Sequence, residues 1–132
     1  MPSSNAQRLG AIAEARFSVE CLERDFEPHL PATPMPWDFI VTCPSGALKI
    51  QVKSTGVKQP GDFYNIITST GHAVKGRMSL EVDVVACYAS PISTWWLIPR
   101  EIITGKTVKL YDEPTTRSIY KKYQSNWSPF YE

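Results

Sequence analysis

Three polar side chains fall at positions where their types and spacing could do chemistry together. Asp38 lies in the stretch 37–41, in which every other residue is apolar. A carboxylate in such a strand is costly unless it is paired, hydrogen-bonded or bound to a metal. Gln51 and Lys53 stand two residues apart in the next predicted strand, so their side chains share one face of it. The pattern therefore suggests a carboxylate site for a cation, with an ammonium group close by.

Glu14 is a second acidic candidate and belongs to a predicted helix. It lies three residues before Phe17, at the edge of the helix face that is expected to turn inward. Each candidate also has an ordinary interpretation. Asp38 could lie at the surface or hold a loop amide, the Gln-x-Lys pair could face solvent, and the glutamate could be a plain surface residue.

Charge is segregated along a chain whose formal net charge is only +1. Acidic residues outnumber basic ones in the first 48 residues, whereas residues 49–77 hold five basic residues against Asp62 alone. An acidic cluster beside a basic strip is what a metal-dependent enzyme acting on a polyanion needs, although a mixed solvated surface gives the same pattern. The small total charge argues against a histone-like polybasic protein and against an acidic mimic.

Length and composition favour one globular domain. The chain has 132 residues, of which 42% are hydrophobic, and this suits a single core of residues 6–111 followed by a C-terminal helix and aromatic tail over 112–132. No apolar run approaches the roughly 20 residues that cross a bilayer, and the N-terminus does not resemble a signal peptide. Cys21, Cys43 and Cys87 form no C-x-x-C pair, so we expect reduced thiols in a cytoplasmic protein without a membrane partner.

A leading helix is predicted for residues 6–26, with an N-cap among residues 3–5. Leu9, Ala13 and Phe17 recur at four-residue spacing and Ile12 flanks them, so these residues should form the inward face. Gly10 would allow this helix to approach the sheet closely. Four prolines between residues 28 and 36 then stop the helix and make the chain extended.

Strand patterns follow the helix. Residues 37–42 and 48–54 are joined by Pro-Ser-Gly and predict a hairpin, which places Asp38 beside the Gln-x-Lys strand. Further strands are expected at 63–68, 82–88, 94–98 and 108–111, with a helical turn at 99–103 and a helix at 115–124. The predicted fold is α/β of the α+β kind, in which the leading helix packs on a mixed, largely antiparallel central sheet.

Taken in order, these residues resemble the PD-(D/E)XK nuclease superfamily. The sequence has Glu14 on the first helix, Pro36-Trp37-Asp38 in the first hairpin strand and Gln51-Val52-Lys53 in the second. Val82-Asp83-Val84-Val85-Ala86 and Trp96-Leu97-Ile98-Pro99 continue the resemblance, which covers residues 7–99. The Gln-Val-Lys run is similar to the branch that contains Holliday junction resolvases of archaeal type and an intron-encoded homing endonuclease. This resemblance implies a restriction-endonuclease-like core.

The resemblance also implies roles for the candidates. Asp38 would be the main ligand of Mg²⁺ or Mn²⁺, joined by the Gln51 amide oxygen and the backbone carbonyl of Val52. Glu14 would position a metal-bound water or a second metal, and Lys53 would orient or deprotonate the attacking water. These are hard oxygen donors of the kind that Mg²⁺ prefers.

Phosphate contacts are expected in the basic middle segment. Ser54 and Thr55 directly follow the Gln-Val-Lys run, and Lys58, Lys75 and Arg77 are the basic residues of the following segment. Residues 69–81 give no convincing crossover helix, which the superfamily core usually has after its third strand. Gln51 in place of an acid also removes one negative charge from the implied metal site.

The leading interpretation is a divalent-metal-dependent DNA endonuclease that acts as a homodimer and selects DNA by shape, like a Holliday junction resolvase. The short chain favours shape recognition because it has no room for a separate sequence-reading domain. A sequence-specific homing or restriction-type endonuclease is the alternative enzyme. A catalytically weak nuclease-fold protein that only binds DNA, and a protein-interaction module that uses the aromatic tail, remain open.

Overall fold

The computed structural model describes residues 4–68, 81–113 and 118–132. Helix α1 (Asn5–Glu23) begins at Ser4, whose hydroxyl accepts the backbone N–H of Gln7, while the Gln7 side chain accepts the backbone N–H of Ser4. This reciprocal capping box satisfies two amides that the first helical turn leaves unbonded. None of the helices in the described ranges is long and apolar enough to cross a membrane.

A five-stranded sheet forms the centre of the molecule, and a two-stranded ribbon lies outside it. The central sheet has the order β1-β2-β3-β5-β6, and the ribbon pairs β4 with β7. Their bounds are β1 (Glu27–His29), β2 (Phe39–Cys43), β3 (Gly46–Thr55), β4 (Tyr64–Ile67), β5 (Val84–Ala89), β6 (Thr94–Pro99) and β7 (Thr107–Leu110). Short 3₁₀ helices occupy Ser90–Ile92, Arg100–Ile102, Lys121–Tyr123 and Ser128–Phe130.

The sheet is mixed, with one parallel pair. β2 and β3 form the predicted antiparallel hairpin, in which Phe39 lies opposite Ile50. β5 runs parallel to β3, and β1–β2, β5–β6 and β4–β7 are antiparallel. The α+β class with a leading helix on a largely antiparallel sheet is therefore confirmed.

Two hydrophobic clusters cover the two faces of the central sheet. On one face Phe17 of α1 packs against the aromatic tail, with ring centroids 6.0 Å from Trp127 and 6.4 Å from Phe130. On the other face the ribbon packs its buried residues against alternate residues of β5 and β6. The tail rings Trp127 and Phe130 are thus part of this chain's own core.

The inward face of α1 differs from the one predicted. Ala13, Phe17 and Cys21 are its buried residues, whereas Leu9 and Ile12 are 38% and 42% exposed. Helix α1 also does not approach the sheet through Gly10, where an added Cβ would meet nothing within 4 Å. The close approach is at Gly56, where a Cβ would stand 3.3 Å from Leu9 Cδ1.

The C-terminal helix predicted over 115–124 is wrong in the part that the structure describes. Only the 3₁₀ turn Lys121–Tyr123 is helical there, and residues 114–117 lie outside the described ranges. The reason is a competing partner: Gln124 bridges to Trp96, and the Ser125 N–H donates to the Trp95 carbonyl at 2.7 Å. Residues 69–80, which would contain a crossover helix, are also outside the described ranges.

Candidate active site

The candidate site lies where the pairing of β2 with β3 ends. β2 begins at Phe39, opposite Ile50, whereas β3 continues to Thr55 with β5 as its parallel neighbour. Asp38 directly precedes β2 and is fixed to β3 at two points. Its N–H donates to the Ile50 carbonyl, and its carboxylate Oδ2 accepts the N–H of Val52, both at 2.8 Å.

These two bonds hold the Asp38 carboxylate against the edge of β3. The sequence left open that Asp38 binds a loop amide. Asp38 does accept a backbone amide, but this amide belongs to strand β3 and not to a loop. In an extended strand the N–H and C=O of one residue point to the same edge, so the Val52 carbonyl points toward Asp38 as well. A carboxylate oxygen and a backbone carbonyl thus meet at one edge of β3.

Glu14 reaches this region from α1. Its side chain is half-buried, and burial raises the pKa of this carboxyl above its usual value. The negative charge of Asp38 is the second cause, which means that the two carboxylates lie close enough to repel each other. A cation between them would relieve this repulsion.

Lys53 also interacts electrostatically with Asp38. It lies opposite Cys87 of β5, and burial lowers the pKa of its ammonium group below the usual value. Attraction to Asp38 raises the pKa again in part. Burial also raises the pKa of the Cys87 thiol to about 12, so that thiol is neutral at physiological pH. A lysine whose pKa is lowered by burial gives up its proton more readily, and its neutral amine can accept one from water.

We use the name Asp38 centre for the five candidate residues taken together: Glu14, Asp38, Gln51, Val52 and Lys53. Gln51 is half-buried, lies opposite Val85 of β5 and shares the face of Lys53. Within the described ranges, no three His, Cys, Asp or Glu side chains are grouped as metal ligands. The oxygen groups that could hold a metal at the Asp38 centre are two carboxylates, an amide and a carbonyl, and such an all-oxygen set suits Mg²⁺ or Mn²⁺.

The predicted phosphate-contact residues are more scattered. Ser54 and Thr55 are half-buried at the end of β3 and line a cavity of about 210 Å³ on the α1 side of the sheet. Lys58 forms an ion pair with Asp62 at 3.9 Å in the loop after β3. The remaining two, Lys75 and Arg77, lie outside the described residues.

Arg16 is a residue of this cavity that the sequence interpretation missed. It lines the cavity with Leu9 and Ile12, two of the exposed apolar residues of α1. The spacing of three and four residues along the helix could have identified this shared flank. Arg16 and Glu14 lie on opposite sides of the buried helix face formed by Ala13, Phe17 and Cys21. The cavity and the Asp38 centre therefore flank α1 on different sides.

Comparisons with known proteins concern the family and the fold of this chain. A family model described as PD-(D/E)XK endonuclease matches residues 4–128. The solved structure of a bacterial homing endonuclease, I-Ssp6803I, is similar to this chain with a TM-score of 0.80 and 17% sequence identity. The similarity covers 99% of this chain and 93% of that one, which shows a shared fold. A comparison with curated proteins finds no match.

Proposed function

Because the chain belongs to the PD-(D/E)XK endonuclease family, we propose that it hydrolyses DNA phosphodiester bonds at the Asp38 centre with a divalent metal ion. The observation that carries this proposal is the anchoring of Asp38 at the point where β2 and β3 part. Its carboxylate is fixed by the Val52 N–H at 2.8 Å, one residue before Lys53 in the same strand. An acid and a lysine held this rigidly are preorganised for chemistry at one phosphate.

The metal ligands in this proposal are Asp38, Glu14, the Gln51 amide oxygen and the Val52 carbonyl. A bound Mg²⁺ or Mn²⁺ would offset phosphate charge and acidify a water molecule. Lys53 orients that water or takes its proton, and burial against β5 favours the neutral amine that this role needs. The pair of hydrogen bonds on Asp38 keeps its carboxylate in place during turnover.

The proposal assigns the Asp38 centre to the Gln-x-Lys branch of the family, because Gln51 stands where other members have an acid. An amide in place of a carboxylate leaves two acids, Glu14 and Asp38, to attract the cation. We therefore expect metal binding to be weaker than at a three-carboxylate centre. If metal binding were weak enough, the protein would bind DNA but cut it poorly.

Two DNA substrates fit the proposal. The likeness to a homing endonuclease over 99% of this chain supports a duplex site, and this is the class we favour. The similarity of the Gln51-Val52-Lys53 run to junction resolvases supports a branched substrate instead. Cutting both strands of either substrate takes two centres, so we propose that residues 1–132 act as one nuclease unit in a twofold homodimer.

The test is cleavage of labelled four-way junction, duplex and single-stranded DNA by the purified protein in Mg²⁺, Mn²⁺ or EDTA. We expect cutting that requires metal and is lost in Asp38→Ala and Lys53→Ala. Unchanged metal-dependent cutting by both variants would show that the assigned centre is wrong. Failure to bind any of these DNAs at low salt would contradict the nuclease proposal itself.

A further inference from the structure

The β4–β7 ribbon has two faces of different character. The inner face packs on the central sheet, with Tyr64, Ile66, Val108 and Leu110 each at most 2% exposed. The residues between them alternate to the opposite face, because successive side chains of a strand point to opposite sides. The outer face is therefore set by the register of the two strands.

That outer face carries polar and apolar groups side by side. Asn65 lies opposite Lys109, and Ile67 lies opposite Thr107. Lys109 and Thr107 are exposed, and Ile67 is 52% exposed. Phe63 extends the same face, since the Lys109 ammonium lies 5.1 Å from its ring centroid. Within the described strands β4 and β7, no acidic residue occurs.

The composition of this face fits the floor of a DNA major groove. A two-stranded ribbon is narrow enough to enter that groove, where each base pair presents a distinct pattern of donors, acceptors and methyl groups. An asparagine amide matches adenine, a lysine matches guanine, and an apolar side chain can contact the thymine methyl group. The positive charge of Lys109 complements the charge of the duplex, and no carboxylate on the two strands opposes it.

The ribbon also stands beside the proposed cutting site. It packs on the face of the sheet opposite α1, which is the face that carries Gln51 and Lys53. Strand β4 contacts β3, and only the eight residues 56–63 separate the two strands along the chain. A DNA backbone at the Asp38 centre would therefore bring an adjacent groove toward the ribbon.

We propose that the outer face of the β4–β7 ribbon enters the major groove of duplex DNA and selects the base pairs beside the cut, with Asn65 and Lys109 as specificity-determining residues. This inference rests on the proposed nuclease function and names the substrate as duplex DNA of selected sequence. It gives the short chain a means of reading sequence within the nuclease domain itself.

The test is the sequence profile of a randomised duplex library cut by the full-length protein in Mg²⁺ or Mn²⁺. We expect the wild type to prefer certain bases beside the cut, by roughly 10- to 100-fold at the positions read by Asn65 and Lys109. Asn65→Ala and Lys109→Ala should each flatten the profile at one or two positions. Arg8→Ala is the matched control, because it removes an exposed cation from α1 on the other face of the sheet and should leave the profile unchanged.

Thermal unfolding checks that the variants fold, which their outward positions favour. Cutting by the wild type with no base preference, or an unchanged profile in both ribbon variants, would overturn the ribbon inference and leave the nuclease proposal standing. If the wild type cuts no DNA, the nuclease proposal fails, and the same library is then selected by binding in EDTA. If binding by the wild type enriches a sequence and the ribbon variants lose that enrichment, groove reading by the ribbon is still supported. If binding by the wild type enriches no sequence, the ribbon inference is overturned.

Discussion

The two halves of strand β3 carry lysines on the same face but place them in different surroundings. In the half 46–50, β2 pairs with the strand, and the Lys49 ammonium lies 4.6 Å from the Trp37 ring centroid. Both lysines are half-buried, but in the half 51–55 β2 has ended and β5 runs alongside, so Lys53 lies opposite the buried Cys87. Burial lowers the pKa of Lys53.

Under the proposed function, this difference lets one strand support both folding and chemistry. Where β2 covers it, β3 uses its edge for sheet hydrogen bonds. Where β2 has ended, the same edge meets the Asp38 carboxylate, while β5, whose six residues are all buried, keeps the strand fixed. In the proposed centre, β5 is a rigid apolar neighbour on one edge of residues 51–55, and on the other edge no strand of the described residues pairs with them, which we call the open edge; we expect substrate to reach the preorganised polar groups there.

The largest expected effect is on activity, at the open edge. Asp38→Asn keeps an oxygen that can accept the Val52 N–H but removes the negative charge that holds a cation. We expect DNA cleavage to fall by about 10³-fold, or about 4 kcal/mol of barrier, with the fold intact. Single-turnover cleavage in Mg²⁺ measures this. A rate near that of the wild type would show that the charge of Asp38 is not needed.

The next largest effect is on stability, in the covered half. Ile50 is fully buried, and Ile50→Ala should lower the free energy of unfolding by about 2–4 kcal/mol. The matched change in the other half is Ser54→Ala at a half-buried site, where we expect a change within about 0.5 kcal/mol. Urea unfolding measures the free energy of unfolding of both variants. An equal loss of stability in the two would contradict the different roles of the two halves of β3.

Gln51→Glu tests the charge of the metal site. A third carboxylate next to Glu14 and Asp38 should strengthen cation binding, so half-maximal cleavage should need about tenfold less Mn²⁺, or about 1.4 kcal/mol. A titration of cleavage rate against Mn²⁺ concentration gives this value. An unchanged or higher requirement would argue against Gln51 as a metal neighbour.

The smallest effect concerns Glu14 and has a definite pH dependence. Because its pKa is raised in the fold, its ionised form is disfavoured there, and stability is lost as pH rises above the ordinary value of 4.5. Glu14→Gln stays neutral and should be more stable by about 0.5–1 kcal/mol at pH 7, with solvent screening of this half-buried site holding the gain near the lower figure. The gain should vanish below pH 4.5, and denaturant unfolding at the two pH values measures it.

Much of the architecture follows from local sequence signals. The Pro-Ser-Gly turn between two β-rich segments predicts the hairpin, and this hairpin alone brings Asp38 beside Gln51 and Lys53. Ser4 as N-cap and the strands at 84–89 and 94–99 follow equally from local chemistry and apolar runs.

Other features depend on partners that are distant in sequence. Cys21 replaces Leu9 in the buried row of α1, in the core cluster that also includes Trp127 and Phe130 from the C-terminal tail. The edge strand β1 pairs with β2 despite containing Pro28, which an edge position tolerates because one side of the strand needs no sheet donor. The local sequence around each residue gives no sign of these contacts, because the partners are distant along the chain.

The comparison of Lys53→Met with Lys49→Met tests the account most directly. The two substitutions make the same chemical change on the same face of β3, in its two different halves. We predict that Lys53→Met lowers single-turnover DNA cleavage in Mg²⁺ by about 10²- to 10³-fold, while Lys49→Met stays within a few-fold of the wild type. Equal rates for the two variants would contradict a nuclease centre at the open edge of β3.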